Sequence, residues 1–324
     1  MTTCRRTAAL LVTLAVVLGL LASCSNDPAA EEPGAESTTT TTAAPSGPAP
    51  DCAPVTASFA PGGPRPAPNQ MPDGTKMKEI QDRGRLIVGV SADNLLFGSE
   101  NPETGQIEGF DIDMAREVAR AIFGNPDQIQ YVVMSFAQRI PALQDRSVDM
   151  VADVMTINCA RWQIINFSTE YYTAGQTILV AADSGITSIR QLAGQKVCAP
   201  ARSTSAEQLE KPENSEIEAV IVPTSSDCMV AFQSGQVVAL AGDDTVLAGY
   251  AAQDPYAKLV DERYTVEPYG LGFNQADVDF TRFVNSVLED MRTDGTWTTI
   301  YERWFPPPPA APPPPAAMYG RALP

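Results

Sequence analysis

The chain contains no histidine. The commonest side chain for proton transfer near neutral pH and the commonest metal ligand are therefore both missing. A cysteine or serine nucleophile would have to act without its usual imidazole partner, which argues against catalysis. Positive charge is scarce as well. Lysine and arginine together number 22 against 39 aspartates and glutamates, for a formal net charge of -17. That balance excludes nucleic acid and electrostatic adhesion to anionic lipid as natural partners, since both draw on basic surface. Cysteine occurs only six times, with no CxxC pair, so neither a metal site nor a cofactor is expected. The apolar run 8–21 is too short for a comfortable transmembrane span.

Arg5-Arg6 precede that run, and Leu21-Ala22-Ser23-Cys24 follows it. A basic start, an apolar stretch and small residues before a cut site make a secretory signal peptide over 1–23. Leu-Ala-Ser-Cys resembles the bacterial lipobox, in which the cysteine becomes the lipidated first residue. Cys24 is thus expected to anchor the rest to the outer face of the cell membrane, each buried methylene contributing about 0.8 kcal/mol. Residues 24–75 are rich in Ala, Pro and Thr and read as a disordered tether. Residues 306–324, with two runs of proline, read as an extended disordered tail. Cys52, Cys159, Cys198 and Cys228 then lie outside the membrane, an even set that favours two disulfides in any of three pairings.

Between these ends the composition is that of a globular protein. "RLIVGV" (85–90) and "IQYVVM" (129–134) are apolar and β-branched, as strands are. Between them "GFDIDMAREVARAIFG" places Ile112, Ala115, Val118, Ala119 and Ile122 on one helical face, with Asp111 as a natural N-cap and Gly124 as the stop. "SFAQRIPALQDRSVDMV" predicts a helix with Pro141 near its start, leading into a third strand, "VDMVADVM". This alternation is that of a parallel α/β sheet. A second unit repeats it through "QTILVAA", "QKVCAP", "EAVIVP" and "VVALAG", with Ser225, Ser226 or Asp227 capping the helix near Cys228. Trp297, Ile300, Tyr301 and Trp304 fall at helical spacing and are expected in the core.

"GFDIDMAREVA", "IPALQDRSVDMV", "MTINCARWQIINFSTEYY", "SIRQLAGQKV", "GDDTVLAGY", "YGLGF" and "DGTWTTIYERWF", taken in order, resemble the polar amino-acid solute-binding proteins of ABC importers. The likeness is greatest to the glutamine/glutamate-binding lipoproteins. It implies an α/β, bilobed type II fold, with lobe 1 over 76–180 and 265–305, lobe 2 over 181–264, and two crossing strands, "QTILVAA" and the segment entering "PYGLGF". A ligand would bind in the cleft, and the lobes would close on it by a hinge motion.

The resemblance also assigns residues. Arg161 stands where the family grips the ligand carboxylate, a task that suits a planar guanidinium. Thr156 and Thr204 stand where threonines support the same group from either lobe. Asp244 matches the acid that binds the ammonium, and Phe136 the aromatic residue over the ligand. Departures cluster around the ligand side chain. Ser91 replaces a frequent aspartate, Arg202-Ser203-Thr204 replaces a Gly-Thr-Thr turn, and Asp153 and Val154 replace small residues. Arg202 and Arg139 are the available cations, which points to glutamate, glutamine, aspartate or asparagine. The two-lobe arrangement implies Cys198–Cys228 within lobe 2 and Cys52–Cys159 at the edge of lobe 1. The expected protein is a monomer that delivers an amino acid to the permease and ATPase subunits of an importer. The alternatives are a sensor subunit signalling to a membrane partner, or a dehydratase-like enzyme on the same fold.

Overall fold

The computed structural model describes residues 52, 54–305 and 311–323. The expected signal peptide, Cys24 and the proline run 306–310 lie outside the described residues. Among the described residues no helix is long and apolar enough to cross a membrane.

Two five-stranded sheets define two lobes. In lobe 1 the strands Leu86–Val90, Ile129–Val133 and Met150–Ala152 run parallel, Gly272–Asn274 joins them antiparallel, and Ile165–Phe167 pairs antiparallel with Gly272–Asn274 at the edge. The helix Phe110–Phe123 covers one face with Ile112, Ala115, Val118, Ala119 and Ile122, each at most 2% exposed. It stops at Gly124, whose φ of 71° closes the last turn in the left-handed region that glycine adopts freely. In lobe 2 the parallel strands Glu218–Val222, Lys196–Pro200 and Ala239–Asp243 are joined by the antiparallel Gln176–Ala181, against which Ala257–Leu259 pairs antiparallel at the edge. The two expected crossings are Tyr172–Ala174 and Glu267–Tyr269, paired antiparallel. "QTILVAA" is therefore not a crossing. It continues from one as the strand of lobe 2 lying between Ala239–Asp243 and Ala257–Leu259.

Helix starts differ from the expected caps where a buried group competes. Gly109 holds the N-cap position of Phe110–Phe123, and Asp111 is 1% exposed. Its carboxylate accepts from the Val154 N–H at 2.8 Å and from the Tyr171 hydroxyl at 2.6 Å, so it fastens the cleft loop instead. Thr224, one residue before the expected candidates, caps Ser225–Gln233 and forms a capping box with Asp227. Trp297 and Ile300 are buried, and Tyr301 packs beside them in an aromatic cluster with Phe110.

The two ends depart most from expectation. From Cys52 onward the expected tether is laid against lobe 1. Phe59 and Met71 are each 4% exposed, and Lys76–Arg83 is a helix capped by Thr75. The Ser58 hydroxyl donates to the Phe167 carbonyl at 2.7 Å, and Asn285 Nδ2 donates to Ser58 Oγ at 2.9 Å. Residues 311–323 follow the same surface. Ser58 and Tyr319 form a parallel bridge, Arg292 Nε donates to the Pro315 carbonyl at 2.8 Å, and the Arg321 guanidinium lies 3.6 Å from the Trp162 ring centroid. Proline- and alanine-rich chain has too few large apolar groups to build a core, but its carbonyls can satisfy donors on one already built. Cys52–Cys159 and Cys198–Cys228 are both formed, closing sequence separations of 107 and 30 residues.

Candidate functional site

The cleft between the lobes is lined from lobe 1 by Phe136, Arg139, Val154, Thr156 and Arg161, and from lobe 2 by residues that include Thr204 and Asp243. Its walls touch. The Ser226 hydroxyl donates to Asp93 Oδ2 at 2.5 Å, and a methyl group added at Gly249 would meet Leu95 at 2.9 Å.

Arg161 belongs to the short helix Cys159–Trp162, which starts after a strand because Asn158 caps it, accepting from the Arg161 N–H at 2.8 Å. The guanidinium is buried, with Nη1 donating to the Thr156 carbonyl at 2.7 Å and Nη2 to the Arg202 carbonyl at 3.4 Å. Arg139 opens the helix Arg139–Gln144 and is 2% exposed. Its Nη1 donates to the Asp153 carbonyl at 2.7 Å, and its guanidinium lies 4.2 Å from the Phe136 ring centroid. Among the described residues neither arginine has a carboxylate within ion-pair distance. Burial lowers both, Arg161 to about 10, with Arg139 close by adding to that shift. A guanidinium does not give up its proton in proteins, and two desolvated cations facing a cleft are seats for negative or acceptor atoms.

The negative counterpart is Asp243, where the expectation was Asp244. Asp243 ends the strand Ala239–Asp243, lines the cleft and is 8% exposed. Its Oδ2 accepts from the Tyr269 hydroxyl at 2.6 Å, while Oδ1 is buried and, among the described residues, without a partner. Burial, with Glu267 nearby, pushes this carboxyl up to about 7. Asp244 is turned away from the lining. It pairs with Arg263 and accepts from the Gly175 N–H at 3.2 Å. Side chains of adjacent residues at a strand end diverge, so only one of the two acids can face the cleft.

The other expected residues divide. Thr156, Thr204, Phe136 and Arg139 line the cleft. Ser91 is buried but does not line it, and its hydroxyl donates to Asp93 at 2.8 Å. The Arg202 side chain is exposed and outside the lining; only its carbonyl takes part, through Arg161. Its φ of 61° is left-handed, the backbone the Gly of a Gly-Thr-Thr turn would adopt. Two acids were given no binding role in the sequence reading, Asp153 entering it only as a departure near the ligand side chain. Asp153 is 1% exposed with Oδ2 unpartnered, and burial pushes it up to about 7. Glu267, on a crossing strand, accepts from the hydroxyls of both Thr156 and Thr204.

Comparison with known proteins gives the family and the fold. Residues 86–307 match the bacterial extracellular solute-binding proteins, family 3. The ABC transporter glutamine-binding protein GlnH of Bacillus subtilis (strain 168) is 35% identical over 228 residues, covering 69% of this chain and 82% of that relative. The glutamine-binding protein of Geobacillus stearothermophilus is 39% identical over 197 residues, covering 60% and 75%. Among solved structures, an ancestral arginine-binding protein bound to glutamine superposes with a TM-score of 0.64 at 34% identity, covering 69% of this chain and 98% of that one. The P235GK mutant of ArgBP from T. maritima gives a TM-score of 0.66 at 30% identity, covering 71% and 98%. With two lobes, paired crossing strands and a charged cleft between them, this chain belongs to the bacterial extracellular solute-binding proteins of family 3.

Proposed function

We propose that this protein captures a polar amino acid between its lobes outside the membrane and passes it to the permease and ATPase subunits of an ABC importer. The observation that carries the reading is a pair of buried charges of opposite sign, contributed by opposite lobes and, among the described residues, lacking ion-pair partners: Arg161 and Asp243. An amino acid brings a carboxylate for the first and an ammonium for the second, and both groups need such partners once water leaves. Because the two contacts come from different lobes, they are made together only when the lobes meet, so the ligand favours closure.

Arg139 is the remaining cleft cation, so the side chain it faces carries an acceptor oxygen, as in glutamate, glutamine, aspartate or asparagine. Two buried guanidiniums disfavour a cationic side chain by like-charge repulsion. The relatives named for glutamine binding support the same choice. Cys24, as a lipidated residue at the head of the chain, would hold the domain at the membrane surface near the permease.

A thermal-shift screen against the twenty amino acids tests the reading. A ligand present at a hundred times its Kd adds about 2.7 kcal/mol to stability. One or more of the four named amino acids is expected to raise the melting temperature, and Arg161→Ala, still folded, is expected to lose the response. A folded protein that responds to none of the twenty would defeat the proposal.

A further inference from the structure

Glu267 is a buried carboxylate, 5% exposed, and it opens the crossing strand Glu267–Tyr269. One of its oxygens, Oε2, accepts from the Thr156 hydroxyl at 2.7 Å and from the Thr204 hydroxyl at 3.0 Å. Thr156 belongs to lobe 1 and Thr204 to the helix Thr204–Leu209 of lobe 2. We propose that Glu267 is a positioning residue that sets how readily the lobes close, by receiving one hydroxyl from each lobe on a single oxygen.

The two bonds differ in what they need. Thr156 is fastened to the strand that carries Glu267. It forms a β-bridge with Tyr269, and the next residue, Ile157, donates its N–H to the Pro268 carbonyl at 2.7 Å. The Thr156–Glu267 bond therefore stays within one frame during a hinge motion. Among the described residues Thr204 has no such fastening to the crossing strands. It moves with lobe 2, so its bond to Glu267 is made only when that lobe docks. A hydroxyl bond to a carboxylate is stronger than one between neutral groups and strengthens further as the cleft dries, so it favours the docked state. Thr156 presets the oxygen, and Thr204 reports closure to it.

The charge has a second consequence. Glu267 lies near enough to act on both Arg161 and Asp243 electrostatically, raising the pKa of each. It supports the Arg161 cation while no ligand is present and opposes a ligand carboxylate arriving there. Glu267 thus favours closure of the empty protein and moderates the gain on binding. The inference rests on the proposed function only in taking closure to accompany binding.

The test is small-angle scattering of the ligand-free protein, since it does not depend on what binds. Glu267→Ala and Thr204→Val are each expected to raise the radius of gyration, and the double variant to raise it no further than Glu267→Ala alone, because both remove the Thr204–Glu267 bond. Glu267→Gln retains an acceptor oxygen and is expected to lie between Glu267→Ala and the parent. Scattering curves for Glu267→Ala and Thr204→Val that match the parent would overturn the proposal, and so would fully additive increases. Should Glu267→Ala fail to fold, the comparison of Thr204→Val with Thr204→Ser, which restores the hydroxyl, decides the same question. A protein that binds no amino acid but still shows the non-additive opening would defeat the proposed function and leave Glu267 in its role.

Discussion

Asp243 and Asp244 are neighbours in the chain with carboxylates in different surroundings: Asp243 faces the cleft with one oxygen unpartnered, and Asp244 is paired with Arg263 outside it. Substituting each in turn separates their roles. Asp243→Asn is expected to weaken amino-acid binding by about 2–5 kcal/mol, the range for removing one partner of a desolvated charge pair. Asp244→Asn loses a pair whose arginine is 63% exposed, and such pairs contribute about 0–1 kcal/mol to stability. Its affinity is expected to stay near the parent's. Isothermal titration of both variants with the same ligand checks the assignment, and the reverse order would return the ammonium to Asp244.

The raised Asp243 carboxyl predicts a pH dependence with opposite signs for binding and for stability. Near 7 this group exchanges its proton in the ligand-free protein, whereas the ligand's ammonium requires it charged. Below about 7 binding must expel a proton, so affinity is expected to tighten up to tenfold per pH unit and level off above 7. Ligand-free stability runs the other way. A carboxyl raised above its unfolded value holds its proton longer in the folded state, so stability falls as pH rises from the ordinary carboxylate range to about 7. Asp153, also raised to about 7, and Asp111, raised to about 6, add to that fall without facing the ammonium. Calorimetry across pH 5.5 to 8 should therefore show the binding slope in the parent and its loss in Asp243→Asn.

Much of this site was legible only through the resemblance, which assigned Arg161, Thr156, Thr204 and Phe136, while Arg139 and Arg202 were singled out by their charge; all of these but Arg202 line the cleft. The choice between Asp243 and Asp244 was not local. It depends on which residue ends the strand, and a shift of one residue exchanges inside for outside. Arg202 was misread for a related reason: composition advertises its charge, while its backbone angle, visible only in the fold, is what the turn uses. Glu267 was silent because its partners are 111 and 63 residues away along the chain. The packed ends escaped notice because composition tells whether a segment can form a core, not whether it can lie on one.

Arg202 itself offers a stability test. A non-glycine residue in the left-handed region is strained by roughly 1–2 kcal/mol, partly offset when glycine is introduced by the added freedom of the unfolded chain. Arg202→Gly is therefore expected to be neutral or to stabilise the protein by up to about 1 kcal/mol in chemical denaturation. The Arg161 contact uses the Arg202 carbonyl and survives the change, so the preference between glutamate and glutamine is expected to be unaltered. A change in that preference would restore the Arg202 side chain to the site.

The short helix that carries Arg161 is fastened at both ends by the chain termini, and this links the ends of the protein to its ligand. Cys159 is bonded to Cys52, and the Trp162 indole N–H donates to the Val55 carbonyl at 2.9 Å beneath the Arg321 guanidinium. Removing the Cys52–Cys159 bridge by paired alanines frees a loop of 107 residues, against 30 for Cys198–Cys228. Chain entropy alone makes the former about 1 kcal/mol more costly, on a base of roughly 3–4 kcal/mol. The distinguishing effect is on binding. Loss of Cys52–Cys159 lets the Arg161 helix shift, and a loosened guanidinium grips a carboxylate less well. Arg321→Ala removes a cation–π contact of about 0.5–2 kcal/mol on the same helix and is expected to weaken binding in the same direction, by less. Measured by calorimetry on folded protein, affinity should fall in the order parent, Arg321→Ala, Cys52→Ala/Cys159→Ala. Equal affinities in all three would show that the termini stabilise lobe 1 without positioning Arg161.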